Sequence, residues 1–341
     1  MKKLFVTGGA GFIGSAFIRV ALEELPECEI VNFDALTYAG NPDNLIGLDE
    51  RRHRFIRGDI ADRAAVIGAL EPDTDAIVNF AAESHVDRSI ASADEFLRTN
   101  VIGTQVLLDA ARARGVQRFL QVSTDEVMGS LPEDERAFFT EASPYAPNSP
   151  YAASKAAAEH LVRAAHHTFG LDTVITRCGN NYGPRQFPEK LIPLAIANAM
   201  SDEPIPVYGD GQNVRDWIYV DDHCRAILRV LQRGRSGEIY NIGARNERRN
   251  LEVVEAILEA LGKPRSLIKF VKDRPGHDRR YAIDPTKVET ELAWRPRETW
   301  ESGLEKTIRW YVENQEWVER ARSGAYREYY ARQYGMEIKA G

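Results

Sequence analysis

Short apolar runs and longer amphipathic stretches alternate along the first two thirds of the chain. The apolar runs have the length of strands and occupy residues 3–7, 29–33, 53–57, 76–80, 117–122, 173–177 and 238–242. Helical patterns lie between them, up to residue 25 and at 95–114, 151–168 and 221–231. Strands that alternate with helices pair in parallel through right-handed crossovers. The pattern therefore predicts an α/β fold with a Rossmann-type, doubly wound parallel sheet.

The pattern changes after Cys178. Proline, asparagine and aromatic residues crowd segments 179–184 and 204–209, which are too irregular for a central sheet. The chain then ends in a long amphipathic stretch, 304–334, whose aromatic residues we expect to pack. We predict a large lobe of residues 1–178, to which 216–243 return, and a smaller, interleaved C-terminal lobe formed mainly by 179–215 and 244–341.

Composition narrows the class of protein. The 341 residues include 44 basic and 51 acidic side chains, a net charge of −7, so the chain lacks the positive excess that binds nucleic acid. Its three cysteines, Cys28, Cys178 and Cys224, are too scattered for a disulfide framework or a zinc site, and we interpret them as reduced core thiols. The apolar run at 4–6 is too short for a signal peptide, and no run approaches the ~20 residues of a membrane span. We expect a cytoplasmic protein without a metal, a nucleic-acid partner or a membrane partner.

A glycine-rich turn follows the first predicted strand and opens the first predicted helix. Glycines at Gly8, Gly11 and Gly14 would give a tight turn, a close approach for a pyrophosphate and tight packing of helix on strand. Asp34 follows the second predicted strand, about twenty residues beyond Gly14. Its carboxylate can accept both ribose hydroxyls and would repel a 2′-phosphate, which predicts NAD rather than NADP. The alternative is a glycine turn beside an ordinary surface aspartate.

Two groups of polar residues suggest chemistry on a hydroxyl. Thr124, Asp125 and Glu126 follow one strand, where adjacent carboxyls can serve as an acid and a base. Tyr151 and Lys155 are four residues apart, so on a helix they share a face, and a nearby ammonium favours the phenolate of the tyrosine. Taken alone, a tyrosine and a lysine at this spacing are usually surface decoration of a helix.

Other polar residues have two open readings each. Asp59 suits a contact to an adenine edge or a helix cap. Ser84 suits a hydroxyl contact at the carboxyl edge of the sheet, whereas the neighbouring His85 can equally be a buried core residue. In the second lobe, arginines suit phosphates and an aromatic ring suits a base, although any single arginine is more often a surface residue. These second-lobe candidates are Arg215, Asn250, Arg274, His277 and Tyr281.

With these residues in place, the chain resembles the extended short-chain dehydrogenase/reductase family, and within it the dTDP-glucose 4,6-dehydratases over essentially the whole length. The stretches that carry the resemblance are 7–14 (TGGAGFIG), 82–89 (AESHVDRS), 123–127 (STDEV), 180–184 (NNYGP) and 187–193 (FPEKLIP). The Thr-Asp-Glu triplet separates this subgroup, because sugar-nucleotide epimerases tend to lack the acidic pair. Related decarboxylases and GDP-mannose dehydratases keep the Glu but usually carry Ser before it. Met128 departs from the family, which commonly has Tyr there, and we expect it to alter packing while leaving the reaction untouched.

The resemblance implies an internal redox cycle on dTDP-glucose. Tyr151, helped by Lys155, would remove the proton of the sugar 4-hydroxyl while hydride passes to NAD, with Thr124 bonded to the same oxygen. Glu126 would then take the C5 proton, and Asp125, kept protonated by its neighbour and by burial, would give a proton to the departing C6 hydroxyl. Hydride would finally return to C6, so that NAD is regenerated in each turnover. A homodimer is a further expectation from the family.

The same resemblance implies two sets of binding residues. We assign to the cofactor Gly8, Gly11, Phe12, Ile13, Gly14, Asp34, Leu36, Thr37, Asp59, Ile60, Ala81, Ala82, Ser84, Thr99, Ser123, Tyr151, Lys155, Cys178 and Asn180. We assign to the nucleotide sugar Ser84, Thr124, Asp125, Glu126, Tyr151, Asn180, Glu189, Lys190, Leu191, Pro206, Tyr208, Arg215, Asn250, Arg274, His277 and Tyr281.

Two alternatives remain at this point. Another NAD-dependent nucleotide-sugar epimerase, decarboxylase or dehydratase would share the first hydride step, and an epimerase or decarboxylase needs no acid at C6. A non-catalytic dinucleotide sensor on the same fold belongs to a different class. Such proteins can dispense with the tyrosine, whereas Thr124, Tyr151 and Lys155 are all present here.

Overall fold

The computed structural model describes residues 1–132, 136–323 and 325–335. Residues 133–135 and 324, together with 336–341 at the end of the predicted second lobe, lie outside the described residues. The strands are β1 (Lys3–Thr7), β2 (Glu29–Asp34), β3 (His53–Arg57), β4 (Ala76–Asn79), β5 (Arg118–Thr124), β6 (Thr173–Cys178), β7 (Asn180–Tyr182), β8 (Ile205–Tyr208), β9 (Val214–Tyr219), β10 (Ile239–Ile242), β11 (Glu247–Arg249) and β12 (Ile268–Val271).

Helices connect and flank these strands. They are α1 (Phe12–Glu24), α2 (Arg63–Ala69), α3 (Val86–Ala91), α4 (Asp94–Phe96), α5 (Thr104–Arg114), α6 (Pro150–Phe169), α7 (Leu191–Met200), α8 (Val220–Arg233), α9 (Asn250–Ala260), α10 (Thr286–Leu292), α11 (Trp300–Glu313), α12 (Gln315–Ala321) and α13 (Ala325–Tyr334). Short 3-10 segments occur at Pro42–Leu45, Asp125–Met128 and Arg265–Leu267, and a π-helical segment at Leu97–Gly103.

Seven strands form one parallel sheet in the order β10-β6-β5-β4-β1-β2-β3. Each of them coincides, within two residues, with one of the seven apolar runs. Successive side chains point to opposite faces, so Leu4 and Val6 join the core on one face of the sheet while Phe5 joins the core on the other. The predicted Rossmann-type α/β fold is confirmed, because helices cover both faces of a parallel sheet.

Local sequence sets the ends of the helices that border the sheet. Ser149 caps α6 by accepting a hydrogen bond from the Ala152 N–H, and Pro150 occupies the first turn. Helix α6 ends at Gly170, which has a φ of 68° and closes the last turn. Tyr151 therefore lies in the first turn of this long helix, which crosses the sheet beside β5 and β6.

The remaining strands lie outside the large sheet. Strand β9 pairs with β7 and β11, and β8 pairs with β12 although it contains Pro206. Helices α7, α9 and α11 pack around a second apolar core that includes Ile192, Trp217 and Tyr311. Helix α8 and strand β10 instead belong to the large sheet and its core. The predicted lobe boundaries remain a prediction.

One helical prediction is wrong in detail, because the stretch predicted as a helix from 95 to 114 contains a π-helical turn at Leu97–Gly103. Asn100 in that turn faces the interior, where its side chain binds Ser154 and the backbone of Glu83. A widened turn re-aims a side chain in this way, and it occurs often at functional sites. The amphipathic stretch 304–334 is occupied by parts of α11, α12 and α13.

Candidate active site

The glycine turn lies at the carboxyl edge of the sheet, between β1 and α1. Gly8 has a φ of +69°, and a Cβ there would lie 2.6 Å from the Ala81 backbone nitrogen. A Cβ on Gly14 would lie 2.2 Å from the Gly8 carbonyl oxygen. Gly11 precedes α1 without a side-chain cap, so the first amides of the helix remain available to an anion. The glycine turn thus forms a cradle with no room for side chains at Gly8 and Gly14, and its free amides suit the phosphates of a dinucleotide.

Asp34 ends β2 beside this turn. Its Oδ2 accepts a hydrogen bond from the Ala10 N–H at 2.9 Å and its Oδ1 one from the Leu36 N–H at 2.8 Å. Burial raises the pKa of Asp34, and the two backbone donors act in the opposite direction. Each oxygen keeps a lone pair for another donor, as two ribose hydroxyls would require. The residues present therefore fit NAD.

Asp59 lies at the same edge of the sheet, after β3. Its Oδ1 accepts from the Ala61 N–H at 2.8 Å and its Oδ2 pairs with Arg98 at 2.6 Å. The cap of α2 comes from Asp62 instead. The reading of Asp59 as a helix cap for the following segment is therefore wrong, and Asp59 lines the cavity described next.

One cavity runs along the carboxyl edge of the sheet, from the glycine turn to the second lobe. Of the residues predicted for the cofactor, Leu36 is the exception, because it touches the site only through its backbone N–H to Asp34. The others line the cavity: Gly8, Gly11, Phe12, Ile13, Gly14, Asp34, Thr37, Asp59, Ile60, Ala81, Ala82, Ser84, Thr99, Ser123, Tyr151, Lys155, Cys178 and Asn180. Thr124, Asp125, Glu126, Glu189 and Lys190 from the predicted sugar set line the same cavity.

Asp125 begins the 3-10 turn that follows β5. Burial raises its pKa well above the usual carboxyl value, and the neighbouring Glu126 adds to the rise. Its Oδ1 lies 3.3 Å from the Thr124 hydroxyl, whereas its buried Oδ2 has no partner among the residues that the structure describes. A carboxyl held neutral at pH 7 can donate a proton, so this side chain has the properties of a general acid.

Glu126 differs from its neighbour because cations face it. Burial raises the pKa of Glu126, but Arg274, Lys190 and Arg215 act to lower it. At Asp125, Arg215 also acts to lower the pKa, but burial and the neighbouring Glu126 outweigh it. Two adjacent carboxyls thus lie in different electrostatic surroundings, which is the arrangement that separates an acid from a base.

Tyr151 and Lys155 lie on one face of α6, beside the end of β5. The Lys155 Nζ donates to the Val122 carbonyl at 2.7 Å, and burial lowers the pKa of Lys155 to about 8. Burial, with Glu126 next, raises the pKa of Tyr151 well above its usual value, and a hydrogen bond from Thr124 acts in the opposite direction. Burial therefore dominates the pKa of Tyr151 in the chain without ligand, and the expected effect of Lys155 on the phenolate remains a prediction.

Glu189 and Lys190 line the cavity from the second lobe. Burial raises the pKa of Glu189 to about 7, and its Oε2 lies 3.3 Å from Arg88 Nε and 3.8 Å from His85 Nε2. Lys190 donates to the Ser84 carbonyl at 3.0 Å. His85 is buried, in agreement with its interpretation as a core residue, and burial lowers its pKa well below the usual value.

The remaining residues predicted for the sugar nucleotide lie beyond this cavity. Arg215 is buried, stacks 4.3 Å from the centre of the Tyr281 ring and donates to the Asp278 carbonyl at 2.9 Å. Arg274 Nη1 lies 3.7 Å from Asp87 Oδ1. Leu191 opens α7, Pro206 lies within β8, and Asn250 opens α9. Their roles remain predictions.

Tyr208 and His277 form a separate aromatic pair. Their rings lie 6.0 Å apart, and burial lowers the pKa of His277 to about 4. The Tyr208 hydroxyl donates to Asp87 Oδ2 at 3.0 Å and accepts from Gln333 of α13 at 2.9 Å. The end of the chain therefore helps to orient Tyr208.

Met128 packs in a small apolar cluster with Phe139, Ala156 and Tyr281. Its Sδ lies 3.4 Å from the Nη1 of Arg177. Met128, the residue that departs from the family, therefore shares this cluster with Tyr281, which belongs to the predicted sugar set. The described contacts agree with the expectation that Met128 affects packing.

Several cavity residues were not predicted from the sequence. Glu83 and Phe187 lie inside stretches that carried the resemblance, and Gln186 precedes one of them, so their positions gave a usable signal. Arg98 gave none, because it reaches the cavity from the π-helical segment. Cys28, Cys178 and Cys224 are buried free thiols.

In the part of the chain that the structure describes, no three His, Cys, Asp or Glu side chains are grouped so as to hold a metal ion. Among residues 1–132, 136–323 and 325–335, no helix combines the length and the apolar character needed to cross a membrane.

Comparison with known proteins gives one consistent result. A family model described as GDP-mannose 4,6 dehydratase matches residues 5–307. The dTDP-glucose 4,6-dehydratase of Xanthomonas campestris pv. campestris strain B100 is 54% identical over 347 aligned positions, covering 96% of this chain and 98% of the relative. The crystal structure of the dTDP-glucose 4,6-dehydratase DesIV from Streptomyces venezuelae, with NAD and TYD bound, aligns with a TM-score of 0.90 and 52% identity, over 94% of this chain and 99% of that one. That of the Bacillus anthracis enzyme in complex with NAD aligns with a TM-score of 0.88 and 46% identity, over 94% and 100%.

Proposed function

The chain belongs to the dTDP-glucose 4,6-dehydratase family, and we infer from this membership that it converts dTDP-glucose to dTDP-4-keto-6-deoxyglucose and water. It is a carbon–oxygen lyase, and its cofactor is NAD. The reaction comprises oxidation at C4, elimination across C5 and C6, and return of hydride to C6.

The first step needs a base and a fixed hydroxyl. We assign the base to Tyr151, and the bond to the same sugar oxygen to Thr124, because both line the cavity near the end of β5, three strands away from β2 and Asp34. Lys155, anchored on Val122, supplies positive charge near the phenol. NAD, held by the glycine turn and Asp34, would supply the acceptor for this hydride and its donor in the last step.

The second step removes water. The 4-ketone acidifies the C5 proton, and Glu126 accepts it while Asp125 donates a proton to the C6 hydroxyl. The buried Asp125 beside Glu126, with its pKa raised by burial and its Oδ2 without a partner among the described residues, is the observation that carries this proposal, since an epimerase or a decarboxylase needs no acid at C6. Closure of the cavity by Glu189 and Lys190 would keep out water that could compete with the intermediate.

The second lobe would hold the nucleotide. Arg215 and Arg274 are placed to neutralise a diphosphate, and Tyr208 offers a ring for the base. Ser84, Asn180 and Lys190 would complete the contacts to the sugar and phosphates.

We also propose a homodimer and a cytoplasmic location. Exposed apolar side chains on the helical layer support the first: Ile90 is 41% exposed, Leu97 50% and Ile102 54%. The three free cysteines support the second, because free thiols persist in a reducing compartment.

The test is to incubate purified protein with dTDP-glucose, without added NAD, and to detect the 4-keto-6-deoxy product by mass and alkaline absorbance. Product formation would support both the elimination and a retained cofactor. If no product forms even after NAD is supplied, UDP, GDP and CDP sugars are tried next, and failure with all of them would refute the proposed activity.

A further inference from the structure

A buried ion pair lies directly beneath the catalytic face of α6, and the chemistry above does not use it. Glu159 is 0% exposed and Arg177 is 1% exposed. The guanidinium grips both carboxylate oxygens, with Nε at 3.1 and 3.0 Å and Nη2 at 2.7 Å. The Ser123 hydroxyl donates to Oε1 at 2.6 Å and the Tyr145 hydroxyl to Oε2 at 2.9 Å. The carboxylate is therefore held from three separate chain segments.

Helical spacing connects this pair to the proposed base. Tyr151, Lys155 and Glu159 are four residues apart in turn, so they share one face of α6. Lys155 binds the carbonyl of Val122, and Glu159 binds the side chain of Ser123, the next residue of β5. Two consecutive strand residues thus fix the position of α6 along β5.

This contact matters because the next residue of the strand is Thr124. The proposed reaction needs Tyr151 of α6 and Thr124 of β5 to meet at one substrate oxygen. A slide of the helix along the strand by a fraction of a turn would separate them. Stability alone is a poor explanation for the pair, since apolar residues of similar volume can replace a buried ion pair at little cost.

We propose that Glu159, held by Arg177, is a positioning residue for C4 oxidation that fixes Tyr151 against Thr124 and places a carboxylate on the face of α6 that carries Lys155. This inference rests on the proposed function and assigns a residue outside the cavity to it. The pair lies one turn of the helix below Lys155, and the residues predicted from sequence did not include Glu159 or Arg177.

The charges around Lys155 set the direction of the effect. On α6, Glu159 attracts the ammonium, and on β6 the Cys178 thiol acts in the same direction when ionised. Cys178 stays neutral, because burial raises its pKa to about 12. At the end of β5, Asp125 and Glu126 act on Tyr151 rather than on Lys155. Glu159 thus opposes the effect of burial on Lys155, whereas the neutral Cys178 does not.

Charged side chains on the other elements that pack on α6 are paired with residues other than Lys155 or line the cavity. Arg98 of the π-helical segment pairs with Asp59, and Arg88 of α3 contacts Glu189. Glu95 of α4 lines the cavity. Arg177 of β6 faces α6 directly, but it is bound to the carboxylate of Glu159. Removing that carboxylate would therefore leave both Arg177 and Lys155 without their anion.

The experiment isolates C4 oxidation by using dTDP-6-deoxyglucose, which has no C6 hydroxyl to eliminate, and follows the absorbance of NADH formed. Oxidation needs Lys155 protonated, so its rate falls as pH rises through the pKa of Lys155. Glu159→Gln removes the attraction, so this alkaline fall should move to lower pH by roughly one to two units. Glu159→Asp keeps the charge and should move it much less.

Glu203 and Arg322 offer a matched control in the second lobe. They form another buried pair, with Nη2 and Oε2 2.8 Å apart, far along the chain from Lys155. Glu203→Gln should lower stability without moving the alkaline fall. If Glu159→Gln lowers the rate equally at every pH and behaves like Glu203→Gln, the pair is structural and the inference is overturned.

Ser123→Ala decides the case if Glu159→Gln does not fold. It removes one hydrogen bond and leaves the ion pair, so the oxidation rate should fall about tenfold while the alkaline fall keeps its position. An unchanged rate would overturn the positioning role. Wild-type protein is assayed first: if it forms neither NADH with the deoxy sugar nor product with dTDP-glucose, the proposed function has failed, and not this inference alone.

Discussion

Replacing Asp125 by Asn should separate the elimination from the oxidation. Asparagine keeps the volume of the side chain and can still accept from the Thr124 hydroxyl, now 3.3 Å from Oδ1. It cannot transfer a proton to the C6 hydroxyl. General acid catalysis contributes about 10²- to 10⁴-fold, so elimination should slow by that factor while C4 oxidation changes by less than about threefold.

A loss of stability in Asp125→Asn should not account for this result. Because burial raises the pKa of Asp125, the folded chain binds a proton that the unfolded chain releases, and this group's contribution to stability is lost as pH rises above the usual carboxyl range. Asparagine has no such charge to bury. The variant should therefore be at least as stable as wild type at neutral pH, as urea unfolding can check.

Rapid mixing with dTDP-glucose gives the readout. Wild type regenerates NAD in each turnover, whereas Asp125→Asn should accumulate NADH together with a 4-keto sugar that retains its C6 hydroxyl. Absorbance follows the NADH and mass spectrometry identifies the sugar. Equal loss of both steps would refute the assignment of Asp125 as the acid for C6.

Three further changes test the cofactor cradle and the second lobe. Trp317→Phe removes the indole N–H that donates to Asn44 Oδ1 at 3.1 Å, so the free energy of unfolding should fall by about 1–3 kcal/mol. Because the Asn44 amide donates to the Ala10 carbonyl of the glycine turn at 3.0 Å, less NAD should also remain after desalting, with Trp310→Phe as the control; unchanged NAD retention would contradict this link. Gly14→Ala places a methyl 2.2 Å from a backbone oxygen and should abolish NAD binding in a direct titration; full retention would contradict the cradle. Burial raises the pKa of Glu189 from 4.5 to about 7, so stability should fall as pH rises through that window. Glu189→Gln should flatten this dependence by up to roughly 3 kcal/mol in urea unfolding, and an unchanged slope would show that Glu189 is not buried as described.

The candidate site was largely predictable because its residues sit at ends of strands. Short apolar runs and a glycine turn are local properties, and parallel strands bring their carboxyl ends to one edge. Gly8, Asp34 and Thr124 could therefore be placed at one edge of the sheet from the chain order, whereas Tyr151 of the following helix was assigned to the site through the family resemblance. The same reasoning could not place Arg98, whose approach depends on a π-helical turn.

Local patterns were less informative about charge. A tyrosine four residues before a lysine predicted a phenolate stabilised by the ammonium, yet Lys155 binds Val122 and burial raises the pKa of Tyr151. Burial depends on everything that packs around a group, so it cannot be obtained from spacing. For the same reason, the direction of the pKa shift of Asp125 depends on the residues that surround it.

The sequence by itself determined the strands of the large sheet, the cofactor cradle and the acidic triplet, since each follows from periodicity or from a short motif. Tertiary structure decided the contacts between residues far apart in the chain. Trp317 reaches Asn44 and Gln333 reaches Tyr208, and Glu159 meets Arg177 across two elements. Such contacts form when separately folded surfaces pack, and their partners are chosen by shape and by the need to pair buried polar groups. No local sequence pattern within either segment predicts these long-range contacts.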